Sequence, residues 1–340
     1  MNAPAKTMSH PTHKFQLLLR REFWEHKGGF LWAPLVAGGI FLLLSLMGFG
    51  VGEMAARRAT GNFEMGDGRF QFNGIDLEAF TAQMDAHDLY RLGQGIDLSM
   101  MMASTWPLIV LAFVVFFYCL GALYDERKDR SVLFWKSLPL SDRETVLSKV
   151  ASALLVAPAL AVAAAVATMF GFLMVLSAMV LLHGGNPFEM VWGPGSPLKV
   201  TGQLIAVIPV YALWALPAAG WLLLCSSWAK SKPFLWAIMI PVFAGIFVTW
   251  FDLMQLFDLE AGWFWKNIVS RSLLSVVPGT WFDVVDLSGS EFHGPGQLGA
   301  LTSLRTTYSV LATPQLWVGA VAGVAMIVAA IRLRRWRDEG

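Results

Sequence analysis

The chain has 340 residues, of which 56% are hydrophobic and only 14% are charged, and its mean hydropathy is +0.56. An ordinary soluble chain carries roughly 25% charged residues, so this composition excludes a disordered chain and disfavours a soluble enzyme. The formal net charge of +1 gives no basic excess for binding nucleic acid, and two cysteines cannot form a disulfide scaffold.

Six apolar stretches are long enough, or nearly so, to cross the roughly 30 Å hydrocarbon core of a bilayer as helices. No charged residue lies inside them except Asp252 and Arg332, at or just beyond their ends. The third stretch is too long for one crossing, so we expect an end to project or the helix to bend at Pro158. These stretches predict an all-α polytopic membrane protein with spans over about 31–52, 103–124, 150–182, 203–225, 234–251 and 315–332.

The distribution of basic residues predicts the orientation. With the N-terminus inside, 17 of the 25 lysines and arginines fall on inner segments and 8 on outer ones. The positive-inside rule therefore favours cytoplasmic termini. The predicted organisation is a cytoplasmic tail with an interfacial helix over 1–30 and one six-span domain over 31–340, with a cytoplasmic loop at about 125–149 and outer loops at about 53–102, 183–202 and 252–314.

The segment 14–27, which precedes the first span, has apolar residues at helical spacing. This spacing favours a helix lying in the inner interface of the membrane, with Phe15, Leu18, Leu19 and Phe23 on its apolar face. Glu22 and His26 project onto the same face and interrupt it. The alternative is a polar tail with a short apolar run.

Two further helices are predicted in the outer loops. Asp76 can cap a short helix that carries Leu77, Phe80 and Met84 at helical spacing. The apolar piece from Trp263 to Val277 contains Lys266 and Arg271 and ends at Pro278-Gly279. It is too short and too charged to span, so we expect an interfacial or re-entrant helix.

The sequence lacks the common catalytic and nucleotide-binding motifs. It contains no Walker A motif, no H-E-x-x-H, no C-x-x-C and no G-x-S-x-G. The uncharged spans also disfavour a secondary transporter, which usually keeps an ionisable group near the membrane midplane. The polar groups within or beside the spans suit a lipid-like or amphipathic substrate, or are ordinary helix-packing residues: Ser45, Thr105, Tyr118, Gln203, Tyr211 and Thr249.

The cytoplasmic loop holds a predicted short helix at the tip of a helical hairpin. Ser131 can cap a helix from Val132 to Leu138, which Pro139 ends, and Ser141 or Asp142 can cap the next helix. Such an apolar tip ringed by charges suits a cleft on a soluble partner. A solvated loop whose aromatic residues enter the lipid interface is the alternative, and the residues alone leave both open.

This loop resembles a known family. Glu126-Arg127, then Ser137-Leu138-Pro139-Leu140-Ser141, then Val146-Leu147-Ser148-Lys149 is similar to the loop between the second and third spans of ABC type-2 transporter permeases. The layout is similar too: a helix before the first span, six spans with both termini inside, and short outer helices before the last span.

The resemblance implies a transmembrane subunit of an ATP-driven exporter, in a plasma membrane such as the bacterial inner membrane. This chain would not be an enzyme and would bind no cofactor, since ATP and magnesium would belong to a separate ATPase subunit present in two copies. A second permease chain would complete the pathway, with the first, second and fifth spans near the interface. A non-transporting scaffold or regulator and a polytopic membrane enzyme are the alternatives.

The resemblance also implies which residues couple the chain to its ATPase. The coupling residues would be Glu126, Arg127, Ser131, Leu133, Phe134, Trp135, Leu138, Pro139 and Ser141. Secondary contacts would come from Arg20, Arg21, Lys27, Lys230 and Lys232.

Overall fold

A computed structural model describes residues 11–58, 63–65, 68–70, 85–130, 141–255, 260–284 and 303–336. Within these ranges six helices are long and apolar enough to cross a membrane, which confirms the predicted all-α, multi-pass fold class. The helices are α1 (Pro11–Glu25), α2 (Ala33–Arg58), α3 (Ala86–Gly121), α4 (Tyr124–Lys128), α5 (Asp142–Ala151), α6 (Ala157–Leu182), α7 (Pro197–Trp214), α8 (Leu216–Trp228), α9 (Pro233–Leu253), α10 (Ala261–Phe264), α11 (Arg271–Leu274), α12 (Leu304–Ser309) and α13 (Pro314–Trp336).

Short irregular elements join these helices. A small antiparallel hairpin pairs β1 (Phe63–Met65) with β2 (Gly68–Phe70) between α2 and α3. Turns of π-helix occur at Gly28–Trp32, Ser152–Val156, Phe188–Trp192 and Trp265–Ser270, and 3-10 turns at Thr280–Val284 and Val310–Ala312.

Helices extend into both ends of the predicted first outer loop. Helix α2 continues to Arg58, and α3 begins at Ala86, well before the predicted residue 103. The side chain of Asp85 accepts from the backbone of His87 and Asp88, and the Asp88 carboxylate faces the Asp85 amide in return. This capping box starts the helix in a polar stretch that hydropathy does not detect. The predicted helix at Asp76–Met84 lies outside the described residues.

The third predicted span is an irregular rod of α5, a π-turn and α6. The π-turn at Ser152–Val156 ends just before Pro158, the second residue of α6. Proline lacks a backbone N–H, so the helical hydrogen-bond ladder must adjust around it. The helix is thus irregular on the N-terminal side of Pro158, and the predicted bend there stays a prediction.

The fourth predicted span, 203–225, is wrong as a single helix. Helix α7 ends at Trp214, and α8 starts at Leu216 after a turn at Ala215. Pro217 stands in the first turn of α8, where a missing N–H costs nothing, and it favours a new helix start there.

The core lies where α3, α6 and α7–α8 pack together, with α13 against α8. Tyr211, Trp214 and Leu222 are fully buried in it, and so are the free thiols of Cys119 and Cys225. Helices α8 and α13 approach closely at Gly220 and Gly323, because a Cβ on either glycine would come within 2.5 Å of the other helix's backbone. Small residues at a helix crossing allow this contact.

The predicted helix between the last two spans is also present. It runs from Ala261 to Leu274 as α10, a π-turn and α11, and the chain then turns through Pro278-Gly279, where Gly279 has a φ of +93°. A positive φ is accessible to glycine at no steric cost, which explains the sharp end of this segment.

Candidate functional site: an ion-paired cluster at the base of the 131–140 loop

Four buried charged side chains meet where α1, α4, α5 and α13 converge. Glu22, Glu126, Lys149 and Arg334 are exposed by 1%, 7%, 2% and 5% respectively, and we call them the ion-paired cluster. Charged residues are almost never this buried unless they are paired. The cluster lies next to the chain segment that the sequence predicts to dock on an ATPase.

Lys149 lies between the two carboxylates of the cluster. Its Nζ is 3.0 Å from Glu22 Oε1 and 3.0 Å from Glu126 Oε1. Arg334 Nη1 donates to Glu126 Oε2 at 2.8 Å, and the Tyr118 hydroxyl donates to Glu22 Oε2 at 2.7 Å. Each buried carboxylate therefore has a cation and a second donor, as a charge withdrawn from water requires.

The cluster explains the interrupted apolar face of segment 14–27. That segment is helical, as predicted, and Leu18 is buried against this chain while Leu17 and Trp24 are more than half exposed. Glu22 lies on the buried side because its partners are Lys149 and Tyr118. The position of this helix relative to a membrane interface stays a prediction.

Arg127 fastens α4 to the C-terminal end of α8. Its Nη2 donates to the carbonyl oxygen of Ser226 and, at 3.1 Å, to that of Ala229. The last carbonyls of a helix lack partners within it, so a guanidinium is well placed there. Ser226 Oγ in turn accepts from the backbone amides of Leu123 and Tyr124, at 3.0 and 2.9 Å.

The Glu126-Arg127 pair is thus directed at this chain's own helices. Both side chains already have hydrogen-bond or ion-pair partners within this chain. On the far side of the loop, Ser141 caps α5 as predicted: its Oγ accepts from the Glu144 amide at 3.2 Å, and the Glu144 carboxylate accepts from the Ser141 amide at 2.9 Å. The other predicted coupling residues lie outside the described residues: Ser131, Leu133, Phe134, Trp135, Leu138 and Pro139.

The predicted secondary contacts divide into two groups. Arg21 belongs to the edge of the cluster, because its Nη2 is 3.2 Å from Glu25 and 3.7 Å from Glu126. Lys27 lies over the Trp24 ring at 5.0 Å. Three others are exposed and available to a partner: Arg20, Lys230 and Lys232.

The roles of Glu22 and Arg334 were missed from the sequence, although a signal was present. A carboxylate on the apolar face of an amphipathic helix indicates a buried cation elsewhere in the chain. Arg334 is two residues from the end of the described chain, where the sequence predicts only an ordinary basic flank of the last span. Its Nε lies 3.3 Å from Asp142, so α13 reaches both sides of the loop.

The polar side chains within the spans separate into distinct environments. Thr105, Gln203 and Tyr211 line one cavity of about 210 Å³, together with Trp281, whose buried indole N–H has no hydrogen-bond partner among the described residues. Ser45, Thr105 and Thr249 donate to backbone carbonyls four residues earlier, as ordinary helix residues do. Thr249 Oγ1 also accepts from Trp265 Nε1 at 2.9 Å.

Comparison with protein-family models, with curated proteins and with solved structures finds no match to this chain. Within the described ranges, no three His, Cys, Asp or Glu side chains come together as metal ligands.

Proposed function

We propose that this chain is the membrane-spanning subunit of an ATP-driven exporter of the ABC type-2 kind, on which a separate ATPase subunit docks at the 131–140 loop. ATP and magnesium belong to that subunit, and this chain carries the pathway. The observation that supports the proposal is the ion-paired cluster, which fixes the helices on both sides of the loop.

The described residues on both sides of segment 131–140 are held in the helical bundle. On one side, Glu126 pairs with Lys149 and Arg334. On the other side, Asp142 lies at the start of α5 and contacts the same Arg334. A displacement of this segment by a bound partner is therefore transmitted to α4, α5 and α13 together.

The cost of burying these charges supports a mechanical role. Desolvation of an ion pair commonly offsets its attraction, so apolar residues of similar size would stabilise the fold equally well. A buried network of charges fixes one particular arrangement of its helices instead. Such an arrangement suits a subunit whose helices must move as one body when its partner changes shape.

The surface beside the loop is available to a soluble partner. Arg20 on α1 and Lys230 and Lys232 between α8 and α9 are exposed cations close to elements that the cluster and Arg127 hold. Exposed cations of this kind steer a partner by charge more than they add to its affinity.

A second permease chain would cover the most exposed spans. In the first and fifth candidate spans only 17% of the most apolar 18 residues are buried, against 28–50% in the others. Large apolar side chains such as Leu43, Met47 and Phe247 are more than half exposed there. These faces suit either lipid or a second copy, as the expected dimer requires.

Co-purification from the native membrane tests the proposal. The tagged wild-type chain is solubilised in mild detergent beside a loop variant, Phe134→Ala/Trp135→Ala. A matched control is Phe188→Ala/Trp317→Ala, which truncates two exposed aromatic residues at the other end of the bundle. We expect a stoichiometric soluble protein with Walker A and B motifs to accompany the wild type and the control, and to be lost from the loop variant.

Two outcomes would contradict the proposal. A chain that always purifies alone, with no ATPase stimulated by its addition, would favour a scaffold or a membrane enzyme. An ATPase that remains bound to the loop variant would remove the loop as the docking element.

A further inference from the structure

A large cleft lies at the end of the bundle away from the ion-paired cluster. It has a volume of about 950 Å³ and is bounded by α8, α9, the α10–α11 segment and the first half of α13. Its walls are mainly apolar and include Trp221, Ile240, Trp263, Val318 and Met326. Volumes of roughly 300–1,000 Å³ are typical of small-molecule sites.

Arg271 extends into this cleft. The guanidinium carbon of Arg271 lies 3.5 Å from the centroid of the Trp214 ring, and Nη2 donates to the Gln315 carbonyl oxygen at 3.3 Å. Gly319 on α13 makes room for it, because a Cβ there would collide with Nη2. Gly319 is roughly 8 Å along α13 from its first residue, so the guanidinium lies among the candidate spans.

The charge of Arg271 is not neutralised by the described part of the chain. Its Nη1 is buried and has no hydrogen-bond partner, and no carboxylate of the described residues lies within 4.0 Å of it. The ring of Trp214 offsets only part of the desolvation cost.

The other charged residues of the cleft are exposed. Glu260, Lys266 and Asp283 line it but remain accessible to solvent, and Lys266 Nζ donates to the Asp283 carbonyl oxygen at 3.3 Å. Arg271 is therefore the charged group whose desolvation needs an anion. Ionisable residues held among membrane spans usually mark a binding site or a pathway.

We propose that this cleft binds a single-chain amphiphile with an anionic headgroup, either a carboxylate or a phosphate monoester. The headgroup oxygens accept from the guanidinium of Arg271, and the chain lies along the apolar wall formed by α9 and α13. A guanidinium is well matched to both headgroups, because its planar donors pair with carboxylate and phosphate oxygens. The proposal stands without the ATPase partner and can fail separately from it.

Binding of a fluorescent fatty acid tests the site. The purified full chain in uncharged maltoside detergent is titrated with cis-parinaric acid, and energy transfer from tryptophan reports binding. We expect saturable binding of the acid and at least tenfold weaker binding of its methyl ester. Arg271→Gln should weaken acid binding at least tenfold, while Arg143→Gln, an exposed arginine at the other end of the bundle, should leave it unchanged.

A second variant keeps the test decisive if Arg271→Gln does not fold. Ala322→Phe fills the cleft from an exposed position of α13 and leaves Arg271 in place, so it should also abolish saturable binding. Equal binding of the acid and the ester, or unchanged binding in these variants, would overturn the proposal. Either result would mean that the probe partitions into the detergent.

Competition separates the possible occupants. Laurate and lauryl phosphate should displace the probe, and lauryl maltoside at the same added concentration should not. Displacement by dilauroyl phosphatidylglycerol alone would overturn the single-chain assignment and point to a two-chain membrane lipid.

Discussion

The two ends of the bundle treat buried charge in opposite ways. In the ion-paired cluster, Lys149 lies 3.0 Å from each of two carboxylates, and every charge has its counterpart within the chain. In the cleft, Arg271 has an aromatic ring and a carbonyl oxygen as neighbours but no described carboxylate. The difference indicates two roles: a charge satisfied internally holds helices in place, and a charge left unsatisfied awaits a ligand.

The largest effect is expected at the cation of the cluster. Lys149→Met leaves Glu22 and Glu126 facing each other with one cation fewer, and breaking a buried ion pair costs about 3–5 kcal/mol. The free energy of unfolding is measured by titration with sodium dodecyl sulfate, followed by tryptophan fluorescence. Arg143→Met, at an exposed position on the same helix, is the control and should change it by less than about 0.5 kcal/mol. Equal stability of the two variants would mean that the cluster does not hold the helices.

A smaller loss is expected at the hydroxyl that supports Glu22. Tyr118→Phe removes one hydrogen bond to a buried carboxylate, which costs about 1.5–3 kcal/mol, while the aromatic packing against Phe30 is kept. The same titration measures it. In the background of Lys149→Met the loss should differ from that in the wild type, because the two residues share Glu22. Strictly additive losses would show that they act independently.

A comparable or smaller loss is expected where α3 meets α8. Ser226→Ala removes the oxygen that accepts from the amides of Leu123 and Tyr124, at a cost of about 1–2 kcal/mol. Ser227 is the matched control, because within the described part of the chain its hydroxyl bonds to a carbonyl three residues earlier in its own helix and to no other element. Ser227→Ala should be close to neutral, and a larger effect there than at Ser226 would refute the role assigned to Ser226.

The smallest effect on stability is expected at the cleft. Arg271→Met removes the contact with Trp214 and also the cost of a partly buried cation, so the two contributions offset each other to within about 1 kcal/mol. Thermal unfolding of the wild type should rise on addition of laurate, and that of the variant should not. A loss as large as that of Lys149→Met would place Arg271 among the structural charges and remove the contrast between the two ends.

Hydropathy predicted the fold class because lipid-spanning helices must be long and apolar. It placed α9 and α13 within about two residues at their starts, but it missed the polar first half of α3, where the capping box of Asp85 begins the helix. The break at Ala215 was missed because the residues on both sides of it are equally apolar. Local backbone and side-chain hydrogen bonding determines the start of α3 and the break at Ala215, and a hydropathy profile does not detect it.

The sequence indicated single residues of the candidate site but not the partners that they contact. The sequence marked Glu126 and Lys149 through the resemblance, and it marked Glu22 as a misplaced charge. It could not pair them, since the partners are 127 and 208 positions apart in the chain. The segment that carries Arg271 is too charged to be predicted as a span. Only the packing of α11 against α7 and α13 shows that Arg271 lies among the spans.

The most direct test of the account is the rate of ATP hydrolysis by the purified partner ATPase with and without this chain. The wild type should bind and change the rate, and Phe134→Ala/Trp135→Ala should neither bind nor change it. Glu126→Gln should still bind but leave the rate as in the partner alone, because the loop remains while its fastening to Lys149 and Arg334 is lost. A Glu126→Gln chain that changes the rate as the wild type does would contradict transmission through the cluster.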